Sequence, residues 1–163
     1  MPAGPTYEPI ATTTLGSAQA NIVFSSIPSS YTDLILVGIG TISTISYFDI
    51  QVGNGSEDTG TNYSFTRLLG FDSTPYTDRY TNATQWQPNL GSAQIGNIVM
   101  QIQNYSNTTT FKSMLSRDGS TGTGTLVGLW RSTAAINYIK IKGGAGNNIN
   151  SGTTFTIYGI KSA

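Results

Sequence analysis

The chain has 163 residues, which suits one domain of ordinary size. Its eight basic and eight acidic residues cancel, and only 10% of the residues are charged, against about 25% in a typical domain. The charge balance argues against a polybasic surface for nucleic acid or anionic lipid, and a sequence without Cys or His excludes disulfides, thiol or imidazole catalysis and almost every zinc, copper or iron site.

The first segments predict an arm followed by strands. Residues 1–6 are rich in Pro and Gly and indicate a loose arm, with a single domain over residues 7–163. Residues 7–15 have strand character around Pro9, which suits a sheet edge because proline cannot donate to a ladder. Residues 20–25 predict a second strand. The N-terminus has neither a basic region nor an apolar core, so we expect no secretory signal.

The middle of the chain is less regular. The most apolar run, residues 34–42, predicts a central strand buried on both faces, and it is far too short to span a bilayer. Residues 47–52 predict another strand and residues 53–62 a surface loop. Residues 63–71 fit either a strand or a short helix. Residues 72–88 are rich in aromatic residues and predict a long, irregular, exposed loop, the main candidate for function.

Alternation returns in the second half. Within residues 95–103, Ile98, Met100 and Ile102 share one face of a predicted strand. Two further strands, residues 110–116 and 125–131, are expected around an Asp-Gly hairpin signal.

The last stretch of the chain has the clearest pattern. Ile139 and Ile141 alternate with Lys140 and Lys142, and Phe155 and Ile157 alternate with threonines. We expect two strands, each with one dry face, joined by a hairpin turn at GGAGNN, and the last strand locked into a sheet.

Together these patterns predict an all-β fold, an antiparallel and jelly-roll-like β-sandwich of eight to ten short strands. The scarcity of charge leaves little repulsion between copies, which favours a subunit packed against neighbours over a neutral monomer.

Few residues suggest catalysis. Glu57 and Asp58 are adjacent carboxylates, and with Asn54 they offer hard oxygen ligands for calcium, but a Gly-rich loop favours solvated side chains over an acid/base pair or a metal site. No histidine is available to activate a serine. We therefore expect no enzyme activity, no metal and no cofactor.

The candidate interaction residues form two groups. The first surrounds the aromatic stretch: Tyr76, Arg79, Tyr80 and Trp86 are residue types that dominate protein interfaces. Two alternatives stay open, a glycan site at these aromatic rings and a core position for Trp86; Trp130 is expected in the core. The second group, Tyr7, Glu8 and Pro9, ends an arm that is expected to strap onto a neighbouring subunit.

Two segments resemble a known class of protein. TTTLGSAQANIVFSSIPSSYTDLILVG (12–38) and SGTTFTIYGIK (151–161) resemble the first and last strands of small virion proteins of tailed bacteriophages. The resemblance implies a jelly-roll-like β-sandwich and a place in the virus particle, and it carries over no catalytic residue.

The expected function is that of a phage virion structural protein. We expect a capsid decoration (cement) protein, a homotrimer that binds the major capsid protein and stabilises the capsid surface, without nucleic acid or membrane as a partner. A first strand close to the N-terminus leaves no shaft in this sequence, which favours the capsid over the tail. The alternative is a tail-fibre or tailspike tip that binds host surface glycans.

Overall fold

The computed structural model describes residues 6–44, 46–71, 74–88, 95–120 and 122–161. Residues 1–5 of the predicted arm lie outside these ranges. The described residues form eleven strands and a short 3-10 turn: β1 (Tyr7–Thr14), β2 (Asn21–Phe24), β3 (Asp33–Gly40), β4 (Phe48–Gly53), β5 (Tyr63–Phe71), β6 (Thr74–Ala83), β7 (Gly96–Ile102), β8 (Lys112–Gly119), β9 (Thr123–Trp130), β10 (Tyr138–Gly143) and β11 (Thr154–Ile160), with the turn at Gly144–Gly146.

The strands form two antiparallel sheets of unequal size. The larger sheet has eight strands in the order β1-β11-β3-β7-β8-β9-β5-β6, and the smaller has the order β2-β10-β4. The predicted fold class, an all-β antiparallel sandwich, is confirmed, with eleven strands where eight to ten were expected. In the described part of the chain no helix is long and apolar enough to cross a membrane.

The core lies between the two sheets and follows from side-chain alternation. Ile139 and Ile141 of the smaller sheet, and Phe155 and Ile157 of the larger one, are fully buried, as the sequence predicts. The rings of Phe48 and Phe155 meet edge to face across the layers at 5.5 Å. Strand β11 is held on both sides, by β1 and by β3.

The predicted hairpin at GGAGNN is wrong, because β10 and β11 belong to different sheets. The connection contains the 3-10 turn Gly144–Gly146, and Gly146 has a φ of +77°, a conformation that suits glycine. The glycines therefore carry the chain from one layer to the other instead of reversing it within one sheet.

The apolar run at residues 34–42 is not buried on both faces. Strand β3 is central in its sheet, and Leu34 and Leu36 are buried, yet Val37 and Ile39 are 36% and 54% exposed. The smaller sheet covers only one side of the larger, so the second side of β3 stays open. The apolar composition of residues 34–42 correctly predicts a central strand, but it wrongly predicts that both faces of that strand are buried.

One further expectation is corrected. The segment predicted as an irregular loop, residues 72–88, contains the ten-residue strand β6 (Thr74–Ala83), which pairs with β5, while residues 72 and 73 lie outside the described ranges. The edge position exposes β6 on both sides, which removes the hydrophobic period by which strands are recognised. The two strands expected around the Asp-Gly pair are confirmed, since β8 pairs antiparallel with β9. The pair itself ends β8, with Asp118 buried, and Ser120 N donates to Gly122 O at 2.8 Å in the connection. Residues 63–71, left open between helix and strand, form β5.

Candidate interaction surface

We call the side of the eight-stranded sheet that points away from the smaller sheet the outer face. Residues paired directly across neighbouring strands point to the same side, so the face is built from cross-strand rows. The first row is Tyr158, Ile35, Gln101, Leu115, Val127 and Thr66. The second row is Thr156, Val37, Val99, Arg117, Thr125 and Leu68.

The outer face carries exposed apolar side chains among polar ones. Leu68, Leu115 and Val127 are 51%, 51% and 58% exposed, and they lie on three adjacent strands, β5, β8 and β9. Val37 and Ile39 continue the apolar surface on β3. Contiguous exposed apolar side chains of this kind mark interaction surfaces in soluble proteins, whereas scattered single ones do not.

A groove of about 760 Å³ crosses the outer face. Its volume falls within the range of about 300–1,000 Å³ seen for ligand sites. Ile35 forms part of the floor and is only 8% exposed although it points outward, because neighbouring side chains shield it. We call this feature the outer groove; its lining includes Tyr7, Tyr158, Ile35, Val37, Leu115 and Arg117.

Charge on the outer face is sparse and positive. Arg117 lines the groove and Arg79 lies near the sheet edge, and neither makes a hydrogen bond or an ion pair with another described residue. The carboxylate of Asp33, at one end of the face, accepts from Gln101 Nε2 and from Asn104 N, both at 2.9 Å. Within the described ranges, the two guanidinium groups are thus without an ion pair.

A second cluster lies on the inner side of the larger sheet, around Arg67. Its guanidinium is 4.4 Å from the ring centroid of Tyr47 and 5.5 Å from those of Phe65 and Tyr80. It forms a two-pronged ion pair with Asp78, and Nη1 donates to Gln87 O at 3.1 Å. Burial alone would lower the pKa of Arg67, but the hydrogen bonds and charge of Asp78 outweigh burial and raise that pKa.

Sequence reasoning missed the Arg67 cluster, although the strand pattern contained a usable signal. Arg67 shares one strand face with Tyr63, Phe65 and Leu69, and all four side chains are buried. An arginine on an otherwise apolar strand face requires a buried carboxylate and favours aromatic neighbours. The cluster ties β5 to β6 and is satisfied internally, which makes it a structural tie.

Three of the predicted interface residues lie together on β6. Tyr76 and Tyr80 are 52% and 44% exposed on one side of the strand, and Arg79 is exposed on the other. Strand β6 is an edge of the larger sheet, so half of its backbone groups have no strand partner in that sheet. The structure thus brings these side chains to an edge that is open to a neighbour.

The interface expectation for Trp86 is corrected. The side chain is fully buried, and its backbone exchanges two hydrogen bonds of 2.9 Å with Ile50. Its ring meets Tyr63 edge-on at 5.4 Å and lies against Gly128, where an added Cβ would come within 2.6 Å of Nε1. Trp86 closes the core between the sheets, the alternative that the sequence left open, and Trp130 is buried as expected.

The second predicted group lies in β1. Tyr7 is 58% exposed at one end of the outer groove, and Pro9 is exposed and opposite Tyr158. Glu8 pairs with Lys161 at 2.5 Å and accepts from the Tyr31 hydroxyl at 3.1 Å. These residues are therefore held against β11, and only Tyr7 contributes to the outer groove.

The two adjacent carboxylates are each tied to a neighbour. Glu57 pairs with Lys140 at 2.7 Å, and this contact lowers the pKa of Glu57. Asp58 accepts from Trp130 Nε1, Asn62 Nδ2 and Gly60 N at 2.7–2.8 Å. Within the described ranges no group of three or more His, Cys, Asp or Glu side chains is arranged to hold a metal. Both carboxylates brace the loop that precedes β5.

Comparisons with known proteins assign neither a family nor a function to the chain. No family model and no curated protein sequence matches the chain. Among solved structures the chain is similar to galectin LEC-6 of Caenorhabditis elegans, over 89% of this chain and 94% of that one, with 10% identity and a TM-score of 0.38. A superposition this loose transfers no residue and no ligand.

Proposed function

We propose that the chain is a structural protein of a phage virion, a capsid decoration protein that assembles as a homotrimer and binds the major capsid protein. The sequence resemblance at residues 12–38 and 151–161 is the reason for choosing a virion protein among structural proteins. In this role the chain stabilises the capsid surface through protein contacts and carries out no chemistry.

The observation that carries an adhesive role is the outer face. Among the described strands, the smaller sheet leaves the outer face of the eight-stranded sheet open, and the exposed side chains of that face include Leu68, Leu115 and Val127. Apolar area buried at a contact contributes about 25 cal/mol per Å² before the costs of association. Repeated over many copies, even a modest contact of this kind resists expansion of a capsid.

The test is addition of the purified chain to capsids that lack it. We expect binding in a fixed ratio to the major capsid protein, density in register with the capsid lattice by cryo-electron microscopy, and a trimer mass by light scattering. Density found only at the tail would eliminate the decoration role, and a monomer that binds no capsid would eliminate both assembly claims.

A second candidate is a tail tip that binds host glycans, and one observation favours it. Tyr76 and Tyr80 are 52% and 44% exposed on one side of the edge strand β6, and Tyr80 stacks on Phe65 at 4.9 Å between ring centroids. Exposed aromatic rings are a common platform for sugars. A glycan array tests it: binding that is lost when both tyrosines are replaced by Ala supports the tip. An array without hits, together with unchanged adsorption of the double variant, rejects it.

A further inference from the structure

We propose that the outer groove docks an extended segment of a partner protein, with a carboxylate of the segment on Arg117 and an apolar side chain near Tyr158. The inference deepens the proposed function and rests on it, because it names the contact surface and the chemistry of the partner. The proposed occupant of the groove is a different protein and not a second copy of this chain.

The charge distribution indicates an acidic partner. The guanidinium of Arg117 lines a groove that also contains Ile35, Val37 and Leu115, and it makes no hydrogen bond or ion pair with any described residue. A cation in partly apolar surroundings gains most from an opposite charge that arrives with the partner and excludes water. Arg79, on the same face, adds to a positive potential that favours an incoming carboxylate.

A second copy does not supply that carboxylate from the described residues. Each described acidic side chain already has a partner in its own chain or is buried: Glu8, Asp33, Asp49, Glu57, Asp58, Asp78 and Asp118. Two copies that meet through their outer faces would leave both Arg117 groups unpaired, at a cost in desolvation. Charge complementarity therefore favours a different protein.

The dimensions of the groove set the length of the segment. Its lining runs from Tyr7 on β1 to Thr125 on β9, across six neighbouring strands. At about 4.8 Å per strand the groove is about 24 Å long, which an extended segment of about seven residues spans. Tyr158 and Arg117 are three strands apart, about 14 Å, so the apolar side chain and the carboxylate are about four residues apart in the partner.

The floor of the groove favours protein over other polymers. Ile35, Val37 and Leu115 are aliphatic, and they match the side chains of an apolar segment better than the polar edges of a sugar. One cation in the groove is too few for a nucleic acid, which requires several phosphate contacts. An apolar segment with a single acidic residue can pack on the floor of the groove and pair its carboxylate with Arg117.

The experiment is a selection from a displayed library of random twelve-residue peptides on the immobilised chain. We expect enriched peptides to carry Asp or Glu about four residues from an aromatic or large aliphatic residue. With Arg117→Glu the same selection is expected to lose the acidic position, and a wild-type-selected peptide is expected to bind Arg117→Gln at least tenfold more weakly. Far-UV circular dichroism verifies that both variants are folded.

A matched control removes the same charge elsewhere. Lys142→Gln alters the outer side of the smaller sheet, and its selected peptides are expected to be those of the wild type. Enrichment without an acidic preference, or an acidic preference that survives Arg117→Glu, overturns the assignment. A dimer in sedimentation experiments that Arg117→Glu dissociates would also overturn the assignment. Glycan binding that is lost in Leu115→Arg, with no peptide enriched, would overturn it as well.

The selection is independent of the virion. An acidic consensus in peptides together with no binding to capsids would reject the decoration role and keep the docking site. Capsid binding that is unchanged in Arg117→Glu and Leu115→Arg would reject the docking site and keep the decoration role.

Discussion

Tyr63 is fully buried, and its hydroxyl links three backbone groups. It accepts from Val52 N at 3.0 Å and lies 2.9 Å and 3.1 Å from the carbonyl oxygens of Val52 and Asp58. Burial raises the pKa of this phenol well above its ordinary value, so the proton stays in place. Tyr63→Phe leaves buried groups unpaired, and we expect the free energy of unfolding to fall by about 1–3 kcal/mol, measured by urea denaturation.

Tyr76→Phe is the matched control, because that hydroxyl is on an exposed side chain of β6. Its loss is expected to change stability by less than about 0.5 kcal/mol. Equal effects of the two substitutions would contradict the role assigned to the Tyr63 hydroxyl.

Asp58 makes stability depend on acid. Burial alone would raise its pKa, but hydrogen bonds from Asn62, Trp130 and Gly60 lower it below the ordinary 3.8. As pH falls, the unfolded chain therefore binds this proton before the folded chain does. The stabilisation that the Asp58 carboxylate gives to the fold is complete above pH 3.8 and is lost as pH falls through the folded pKa. We expect Asp58→Asn to be less stable than wild type at pH 7, with a difference that shrinks towards pH 2 in urea titrations.

Asp49→Asn tests the opposite sign. Burial raises the pKa of Asp49, so the charged carboxylate opposes folding as pH rises from 3.8 through the folded pKa. Asp49→Asn is expected to have at least the unfolding free energy of the wild type at pH 7. Relative to the wild type, its unfolding free energy is expected to be lowest in acid, where the wild-type carboxyl is also neutral. A parallel response of the two variants to pH would show that local hydrogen bonds and burial do not set these pKa values.

At the residue scale the sequence predicts burial well where neighbours alternate and poorly where a contact comes from far along the chain. Ile139, Ile141, Phe155 and Ile157 follow the alternation and are buried. Trp86 is buried by β5, by Gly128 and by its bridge to Ile50, all distant in sequence. The polar residues around Trp86 in the sequence therefore indicate an interface, although its side chain lies in the core.

At the scale of the element, Gly38 of β3 lies directly under the aromatic ring of Phe155 on the neighbouring strand β11. A Cβ added to Gly38 would lie 2.2 Å from a ring carbon of Phe155, a side chain that is itself fully buried and packed on Phe48. The ring has no room to move, so Gly38→Ala is expected to destabilise the fold by about 1–3 kcal/mol or more. Thermal and urea denaturation measure the loss.

Gly16→Ala controls for the loss of a glycine as such. An added Cβ at Gly16 meets nothing within 4 Å. It is expected to be neutral or slightly stabilising, since alanine restricts the unfolded chain. A Gly38→Ala variant as stable as Gly16→Ala would mean that the sheets adjust to the extra carbon.

Elements were predictable where one face is buried, and less so at the edges. Alternation in the sequence predicts strands β7, β10 and β11. The sequence predicts a loop in place of β6, because an edge strand exposed on both sides needs no apolar period and is defined by its backbone pairing with β5. The aromatic residues of that segment did mark an exposed surface, although on a strand.

At the scale of the whole molecule, the unequal sheets create the candidate interaction surface. The sequence predicted a sandwich but not the division into eight and three strands, because strand pairing depends on contacts between distant segments. Without that division the open side of β3 and the outer groove could not be foreseen. The apolar alternate residues of β3, β8 and β9 were visible in the sequence, and their exposure follows only from the sheet sizes.

The two sides of the larger sheet should therefore respond differently to the same kind of substitution. On β8 and β9, Met114 and Leu126 face the core and are 1% exposed, whereas Leu115 and Val127 face outward and are more than half exposed. Met114→Ala and Leu126→Ala are expected to cost about 2–5 kcal/mol of unfolding free energy through loss of buried contacts and cavity formation. Leu115→Thr and Val127→Thr are expected to stay within about 0.5 kcal/mol of wild type.

Capsid binding should follow the reverse order. The outward substitutions remove apolar area from the outer face, the proposed contact surface, so the double variant Leu115→Thr/Val127→Thr is expected to bind capsids at least tenfold more weakly. Its melting temperature is expected to equal that of the wild type. The inward variants, assayed below their melting temperatures, keep the outer face and are expected to keep binding. If the outward pair unfolds the chain, the outer face is part of the fold and not a surface reserved for a partner; if it binds normally, contact lies elsewhere, with the edge strand β6 and its exposed tyrosines next to be tested.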